Sequence, residues 1–350
     1  MTRVAGGDAD RSGRRGPRVA GVDPGTVSFD VCVFDDGDVV AERSFSTEAV
    51  GADPGPLVET LTGHGPFDLV LGPAGYGLPL VRAEEVGEHE LSLMVLVRAD
   101  EPEGRAGVAG MRTIIRALIA AGLPLVFGPG AIHLPTIPAH RKWNRIDLGT
   151  ADKVASAALC IADQSRRLGV ACADTSFVML ELGGAFSAAL AVDGGRIVDG
   201  LGGSAGPIGA RACGALDAEV AYLLGGALSK RTVFSGGALE PARSEAGWLA
   251  LEEGAAKAAL ALTVSAPAPR EILITGRNAP GVLDALGTRL AHVAPVRSVG
   301  KAAAHGAAVL ADGLAGGRHA ALVERLGVRD ASGSALDHLR LHGADQIRLR

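Results

Sequence analysis

VAGVDPGTVSFDVCVFDDGDVV, residues 19–40, decides the architecture. An apolar run from Val19 to Val22 ends in the loop Asp23-Pro24-Gly25-Thr26, and a second, from Phe29 to Phe34, ends in Asp35-Asp36-Gly37 before a third begins. Apolar runs bounded by Gly, Pro and Asp predict strand, tight loop, strand, hairpin turn and strand. The pattern returns 158 residues later in VMLELGGAFSAALAVDGGRIV, residues 178–198, with Glu181 as the acid, Gly183 and Gly184 in the loop, and Asp193-Gly194-Gly195 at the turn. Acid to turn aspartate is 12 residues in both copies (Asp23 to Asp35, Glu181 to Asp193), and acid to turn glycine is 14 in both. A repeated carboxylate-and-glycine hairpin implies two similar halves, each offering one loop to a shared ligand.

With 350 residues the chain has room for two domains, each able to bury a core. It carries 50 glycines and only 3% aromatics, so the core must be built largely from Ala, Val and Leu. A net charge of −5, from 34 basic and 39 acidic residues dispersed along the chain, leaves no footprint for nucleic acid or an anionic membrane, and a small-molecule partner is expected. Cys32, Cys160, Cys172 and Cys213 show no CxxC spacing and read as reduced core residues of a cytoplasmic protein. Residues 117–140 contain no charged side chain except histidine, but Pro124, Pro129, Pro135 and Pro138 forbid one continuous membrane helix there. Residues 1–17, charged and glycine-rich with no apolar stretch behind them, are expected to be a disordered tail and not a secretion signal.

Between and after the hairpins, strands are expected to alternate with helices, which predicts α/β layering. Strands are expected over 69–71, 91–97, 125–127, 232–234 and 271–275, and helices over 57–61, 111–121, from Val154 to Leu168, 215–224, 248–264 and 301–310. The strand at 69–71 stops in Gly72-Pro73-Ala74-Gly75-Tyr76-Gly77, either a plain turn or the edge of a ligand cleft. The densest polar cluster lies in residues 132–153, with His133, His140, Arg141, Lys142, Asn144, Arg145, Asp147, Thr150, Asp152 and Lys153. The halves are expected to join there. Residues 319–326 look helical, capping a domain or a homodimer contact.

Each motif has a plain reading and a chemical one. Either hairpin alone is an ordinary β-hairpin; together, their glycine turns can aim backbone amides at phosphate oxygens while a carboxylate at the strand end holds Mg²⁺ through water. Two such loops facing each other would grip the terminal phosphates of a nucleotide. Asp152 follows the N-cap candidate Thr150 and can simply complement the helix dipole, or it can face the cleft and position Mg²⁺ or a substrate proton, with Lys153 steadying transferred charge. Arg141 and Lys142 are either solvated surface charges or holders of an anionic substrate, in a chain with only five lysines. Gly202-Gly203-Ser204-Ala205-Gly206 matches a serine-hydrolase elbow, with Asp217 and His292 or His305 in triad order, but the flanking glycines and Pro207 deny it the strand and helix it requires. Residues 200–205 also match a dinucleotide fingerprint, with no βαβ unit around it, and no P-loop sequence is present.

The order of these pieces resembles the phosphate-1, connect-1, phosphate-2 and adenosine motifs of the acetate and sugar kinase/Hsc70/actin superfamily. They are the Asp23-Pro-Gly-Thr hairpin, the helix after Gly149-Thr-Ala-Asp-Lys153, the Glu181-Leu-Gly-Gly hairpin, and Leu273-Ile-Thr-Gly276-Arg277. Residues 72–79, 132–138 and 149–153 look like those of prokaryotic predicted butyrate kinases. The resemblance implies two ribonuclease-H-like α/β domains of the actin-like ATPase type with a nucleotide cleft between them. The domains would span residues 18–150 and 151–313, with the helix at 301–313 returning to the first, followed by an extension over 314–350. It implies an ATP- and Mg²⁺-dependent kinase acting on a small carboxylate or hydroxyl compound. Asp23 and Glu181 would serve the metal, and Gly25, Thr26, Gly183 and Gly184 the phosphates. Gly276 and Arg277 would flank the adenosine, and Asp152, Lys153, Arg141 and Lys142 would be catalytic. Glu181 stands where many relatives have Asp, and Arg277 where a second glycine is common. A chaperone-like or sensor ATPase on the same fold is the other reading that the resemblance leaves open.

Overall fold

The computed structural model describes residues 16–101, 108–300 and 302–350. Its first sheet begins with the predicted hairpins, β1 (Arg18–Pro24), β2 (Ser28–Asp35) and β3 (Asp38–Ser46), in which β1 pairs antiparallel with β2 and β2 with β3. Helices α1 (Thr47–Ala52) and α2 (Gly55–His64) lead to β4 (Leu69–Gly72), which runs parallel to β1. The short β5 (Val81–Arg82), α3 (Glu88–Val95), α4 (Val108–Ala120) and β6 (Leu125–Phe127) complete the sheet in the order β3-β2-β1-β4-β6-β5.

After α5 (Ala139–Lys142) and the long α6 (Ala151–Leu168), the second sheet repeats the plan. β7 (Ser176–Leu182), β8 (Ser187–Asp193) and β9 (Arg196–Leu201) form the antiparallel meander. α7 (Ala218–Leu224), α8 (Lys230–Val233) and α9 (Glu245–Leu262) precede β10 (Glu271–Thr275), which is parallel to β7, and α10 (Leu283–Leu290) precedes β11 (Val296–Ser298), parallel to β10. The order β11-β10-β7-β8-β9 matches five strands of the first sheet, three antiparallel then two parallel. Even the irregularity repeats: the register shifts after Val33 and after Ala191, ten residues beyond the acid in both copies.

Two helices join the halves. α11 (Ala303–Leu314) lies against β1, β2 and β4 of the first sheet and against α6, and one continuous apolar core collects residues from both sheets around this helix pair. Small residues make that approach possible. A Cβ on Gly21 of β1 would stand 2.3 Å from the Ala308 nitrogen, and one on Gly306 would stand 1.8 Å from the Ala155 carbonyl oxygen. The Ala-rich composition therefore serves backbone-to-backbone packing, not mere volume filling. α12 (Ala320–Leu326) packs on α6 and β9, and the chain then returns to the first half, where Arg98 and Leu349 form an antiparallel bridge. The segment after α11 thus caps its own chain.

Two expected strands are helical. Of residues 91–97, 91–95 fall in α3 and Leu96 caps it, because Glu90 accepts the Gly87 amide, the Ser92 hydroxyl reaches back to the Glu88 carbonyl, and Leu91, Met94 and Val95 bury one helical face. Residues 232–234 fall at α8, where the Thr232 hydroxyl accepts the Ser229 amide and sets a single helical turn instead. The expected tail at 1–17 lies mostly, and Lys301 wholly, outside the described residues. All four cysteines are free, and no described helix is long and apolar enough to cross a membrane.

Candidate functional site

Asp23 ends β1, Glu181 ends β7, and the N-terminus of α6 brings Asp152 and Lys153 to the same place. Strand and helix periodicity explain the gathering: residues 152, 153 and 156 share one end of α6, which faces the strand ends. Lys153 Nζ lies 2.5 Å from Asp152 Oδ2 and 2.6 Å from Glu181 Oε1. The other oxygens of this pair are also taken. Glu181 Oε2 accepts the Ser156 hydroxyl at 2.8 Å, and Asp152 Oδ1 accepts the Thr150 hydroxyl. Thr150 therefore occupies the N-cap position but spends its hydroxyl on Asp152 and not on the helix backbone.

The electrostatics divide the acids. Burial, and then Asp152, push the Asp23 carboxyl well above the usual range, and its buried Oδ1 has no hydrogen-bond partner. Burial works against ionised Asp152 as well, but Lys153 and the Thr150 hydroxyl overcome it and hold its pKa low. For Lys153, burial alone would lower the pKa; Asp152 and Glu181 against the ammonium raise it instead. An orphaned carboxyl with a raised pKa beside a tight ion pair is the arrangement of a group that holds a proton until a cation replaces it. Asp23 and Asp152 both line a narrow cleft with Val22, Gly72, Pro73 and Gly128. Of the loop at 72–77, Gly72, Pro73 and Ala74 line it.

This donor set fits Mg²⁺ in one way only. Magnesium is commonly held by one or two carboxylates plus substrate phosphates and water, and Asp23 offers the unsatisfied oxygen. Glu181, expected to share the metal, has both oxygens engaged by Lys153 and Ser156. Among the described residues no cluster of three or more His, Cys, Asp or Glu forms a metal cage.

The two glycine loops face each other. A Cβ on Gly184 would lie 2.7 Å from Val27 Cγ2 and 3.2 Å from the Thr26 hydroxyl, so the second loop rests on the first. Gly25 makes the first turn tight, since a Cβ there would meet the Ser28 carbonyl at 2.6 Å. The third loop is tied to the second. Gly276, at φ +97°, places its Cα against the Leu182 carbonyl, the Asn278 amide N–H donates to that carbonyl, and Asn278 Nδ2 donates to the Gly183 carbonyl at 2.6 Å. Arg277 is exposed beside them, while Arg243 donates to Asn278 Oδ1 and lies over the Trp248 ring.

Arg141 and Lys142 are held elsewhere. Arg141 Nη1 donates to the Val198 carbonyl on β9, and buried Lys142 donates to the Leu134 carbonyl at 2.8 Å. Ser204 donates to Asp147, Asp217 caps α7, and His305 pairs with Glu42, so no hydrolase triad is assembled. Gly200 and Gly202 admit the chain at Leu148 and Asp147, which explains their apparent dinucleotide fingerprint as packing. Sequence reasoning missed Ser156, readable from its spacing three residues after Lys153. It also missed Asn278, two residues after the expected adenosine loop, and Lys230 with Tyr76, which no motif announces.

A family model described as "Protein of unknown function (DUF1464)" matches residues 21–341. No curated protein matches. Solved structures are similar over nearly their whole length. A propionate kinase from Francisella tularensis subsp. tularensis SCHU S4 has a TM-score of 0.59 at 12% identity, covering 83% of this chain and 98% of its own. The Porphyromonas gingivalis acetate kinase has 0.57 at 14%, covering 85% and 99%. The acetate kinase from Entamoeba histolytica has 0.55 at 12%, covering 81% and 96%. At these identities the likeness is one of fold, the two-sheet architecture shared with these acetate and propionate kinase structures.

Proposed function

The chain belongs to the family described as protein of unknown function (DUF1464), a membership that fixes no reaction, and we propose that it is an ATP- and Mg²⁺-dependent phosphotransferase acting on a small acceptor. The observation that carries this reading is the meeting of the two glycine loops beside an unsatisfied carboxyl. Backbone amides on both sides, a cation position at Asp23 and a fixed ammonium at Lys153 are what phosphoryl transfer asks of a protein, positioning and charge neutralisation. In this reading Gly25, Thr26, Gly183 and Gly184 bracket the terminal phosphates, and Gly276, Arg277 and Asn278 border the base side. Mg²⁺ carried at Asp23 would neutralise phosphate charge. Lys153, braced by Asp152 and Glu181, adds a positive charge that cannot swing away. Closure of the two loops keeps water from the phosphate.

The acceptor follows from Asp152. Both its oxygens are occupied and Lys153 keeps it ionised, so it serves poorly as a base. An acceptor that is already an anion needs no base, which favours a carboxylate over a hydroxyl compound. That agrees with the acetate and propionate kinases as structural neighbours, and a butyrate-kinase-like substrate is one member of the class.

The test is ADP release from MgATP with acetate, propionate, butyrate and a set of small alcohols and sugars. The expected result is release that rises with one of the carboxylates. Slow ADP release indifferent to every acceptor would contradict the kinase and favour the ATPase sensor.

A further inference from the structure

Between β9 and α9 the chain leaves the second sheet, and within that excursion α7, the single turn after it and α8 bury no residue. Tyr222 and Leu223 are 80% and 79% exposed. A stretch with so little burial has no core of its own to hold it in place. It is held at two points, four residues apart, instead. At one, the Phe234 ring meets Phe186 edge-on with centroids 4.8 Å apart, and Phe186 closes the glycine turn by accepting the Gly183 amide. At the other, Lys230 crosses to the first half. Its backbone N–H donates to Glu101 Oε1 at 2.7 Å, and its ammonium donates to the Tyr76 hydroxyl at 3.1 Å and the Leu96 carbonyl at 3.2 Å. Tyr76 belongs to the loop that begins at the cavity wall, and the neighbouring Gly75 carbonyl accepts the Ala151 amide where α6 begins.

We propose that residues 213–237 form a strap, clasped shut across the two halves by Lys230 on Tyr76 and Leu96, whose release admits ligand to the cleft beside Asp23 and Asp152. The strap touches one glycine-bearing loop of each half, so it can hold them together or let them part. Parting is needed, because Thr26 and Val27 now rest on Gly184 and leave no space there for phosphates. The clasp is also easily undone. Among the described residues no carboxylate forms an ion pair with the Lys230 ammonium, which donates to a phenol and a carbonyl and lies 4.6 Å from the Tyr76 ring centre; burial lowers its pKa to about 8 even against the opposing pull of Glu101 and Asp147. A desolvated cation on neutral acceptors regains little more than the hydration it gave up, so separation costs far less than breaking a packed interface.

Hydrogen exchange of the full chain tests the clasp, and association of a fluorescent ATP analogue tests the gating. Only the second rests on the proposed nucleotide cleft. In Lys230→Met, amides of residues 218–233 are expected to exchange about tenfold faster than in the unaltered protein, with the map unchanged away from the strap and the loops it joins. Tyr76→Phe, which keeps the ring and removes the hydroxyl, should move the same amides by a smaller factor, and Lys257→Met on the surface of α9 should move none. The analogue should bind Lys230→Met several-fold faster. Unchanged exchange over 218–233 in both clasp variants overturns the proposal. Faster exchange with an unchanged association rate overturns the gating. An unaltered protein that binds no nucleotide, while exchange still accelerates in the variants, sinks the kinase reading and the gating with it but upholds the clasp.

Discussion

The proposed chemistry depends most on a single carboxyl, that of Asp23. Burial, and then Asp152, raise the pKa of Asp23 well above the usual range, and one of its oxygens is buried without a partner, a cost that a purely structural residue would shed. Asp23→Asn keeps the shape and removes the carboxyl that would take up the cation. Turnover with MgATP is expected to fall by two orders of magnitude or more, on the order of 3 kcal/mol or above in the barrier, while the melting temperature stays level or rises. Lys153 is the opposite case. Lys153→Met leaves Asp152 and Glu181 facing each other without a cation, and a loss of roughly 3–5 kcal/mol in urea unfolding is expected. His133 supplies a pH prediction away from the site. Burial lowers its pKa from the ordinary 6.5 to about 4, so the folded state resists its protonation. Stability from this residue is complete above pH 6.5 and lost as pH falls toward 4, about 3 kcal/mol in all. His133→Asn should flatten the stability curve in that window; an unchanged slope would show that other groups control it.

At the scale of elements, the hairpins were legible because their signal is local. Apolar alternation, a turn aspartate and a turn glycine lie within one short stretch, and the matched spacing of Asp23–Asp35 and Glu181–Asp193 survives as matched strand pairing and matched bulges. Residues 91–97 were misread because Leu, Met and Val suit strand or helix equally; the decision lay with Glu90 and Ser92, polar neighbours that cap and brace α3. The ion pair of Lys153 with Glu181 was out of reach for another reason. Its partners come from separate elements, and only the docking of α6 on the end of β7 brings them together. The same holds for Lys230 and Tyr76, 154 residues apart. Helix α11 shows what the small residues are for. Gly21→Val would drive a branched side chain into the Ala308 backbone and the Ala304 carbonyl, neither of which can rotate aside. A loss of at least about 3 kcal/mol in the free energy of urea unfolding is expected, whereas the same change at Gly63, with open space around it, should cost under about 1 kcal/mol.

For the whole molecule, the repeat explains why a binding site forms where it does. Two sheets of one design, joined by α6 and α11, bring equivalent loops to a common seam, and the strap at residues 213–237 crosses that seam. The most direct measurement is the structure of the protein bound to a nonhydrolysable ATP analogue with Mg²⁺. The terminal phosphates should lie between the backbone of residues 24–27 and that of residues 183–185, with the metal at Asp23. An analogue bound anywhere else, or loops still in contact with no phosphate between them, would contradict the account.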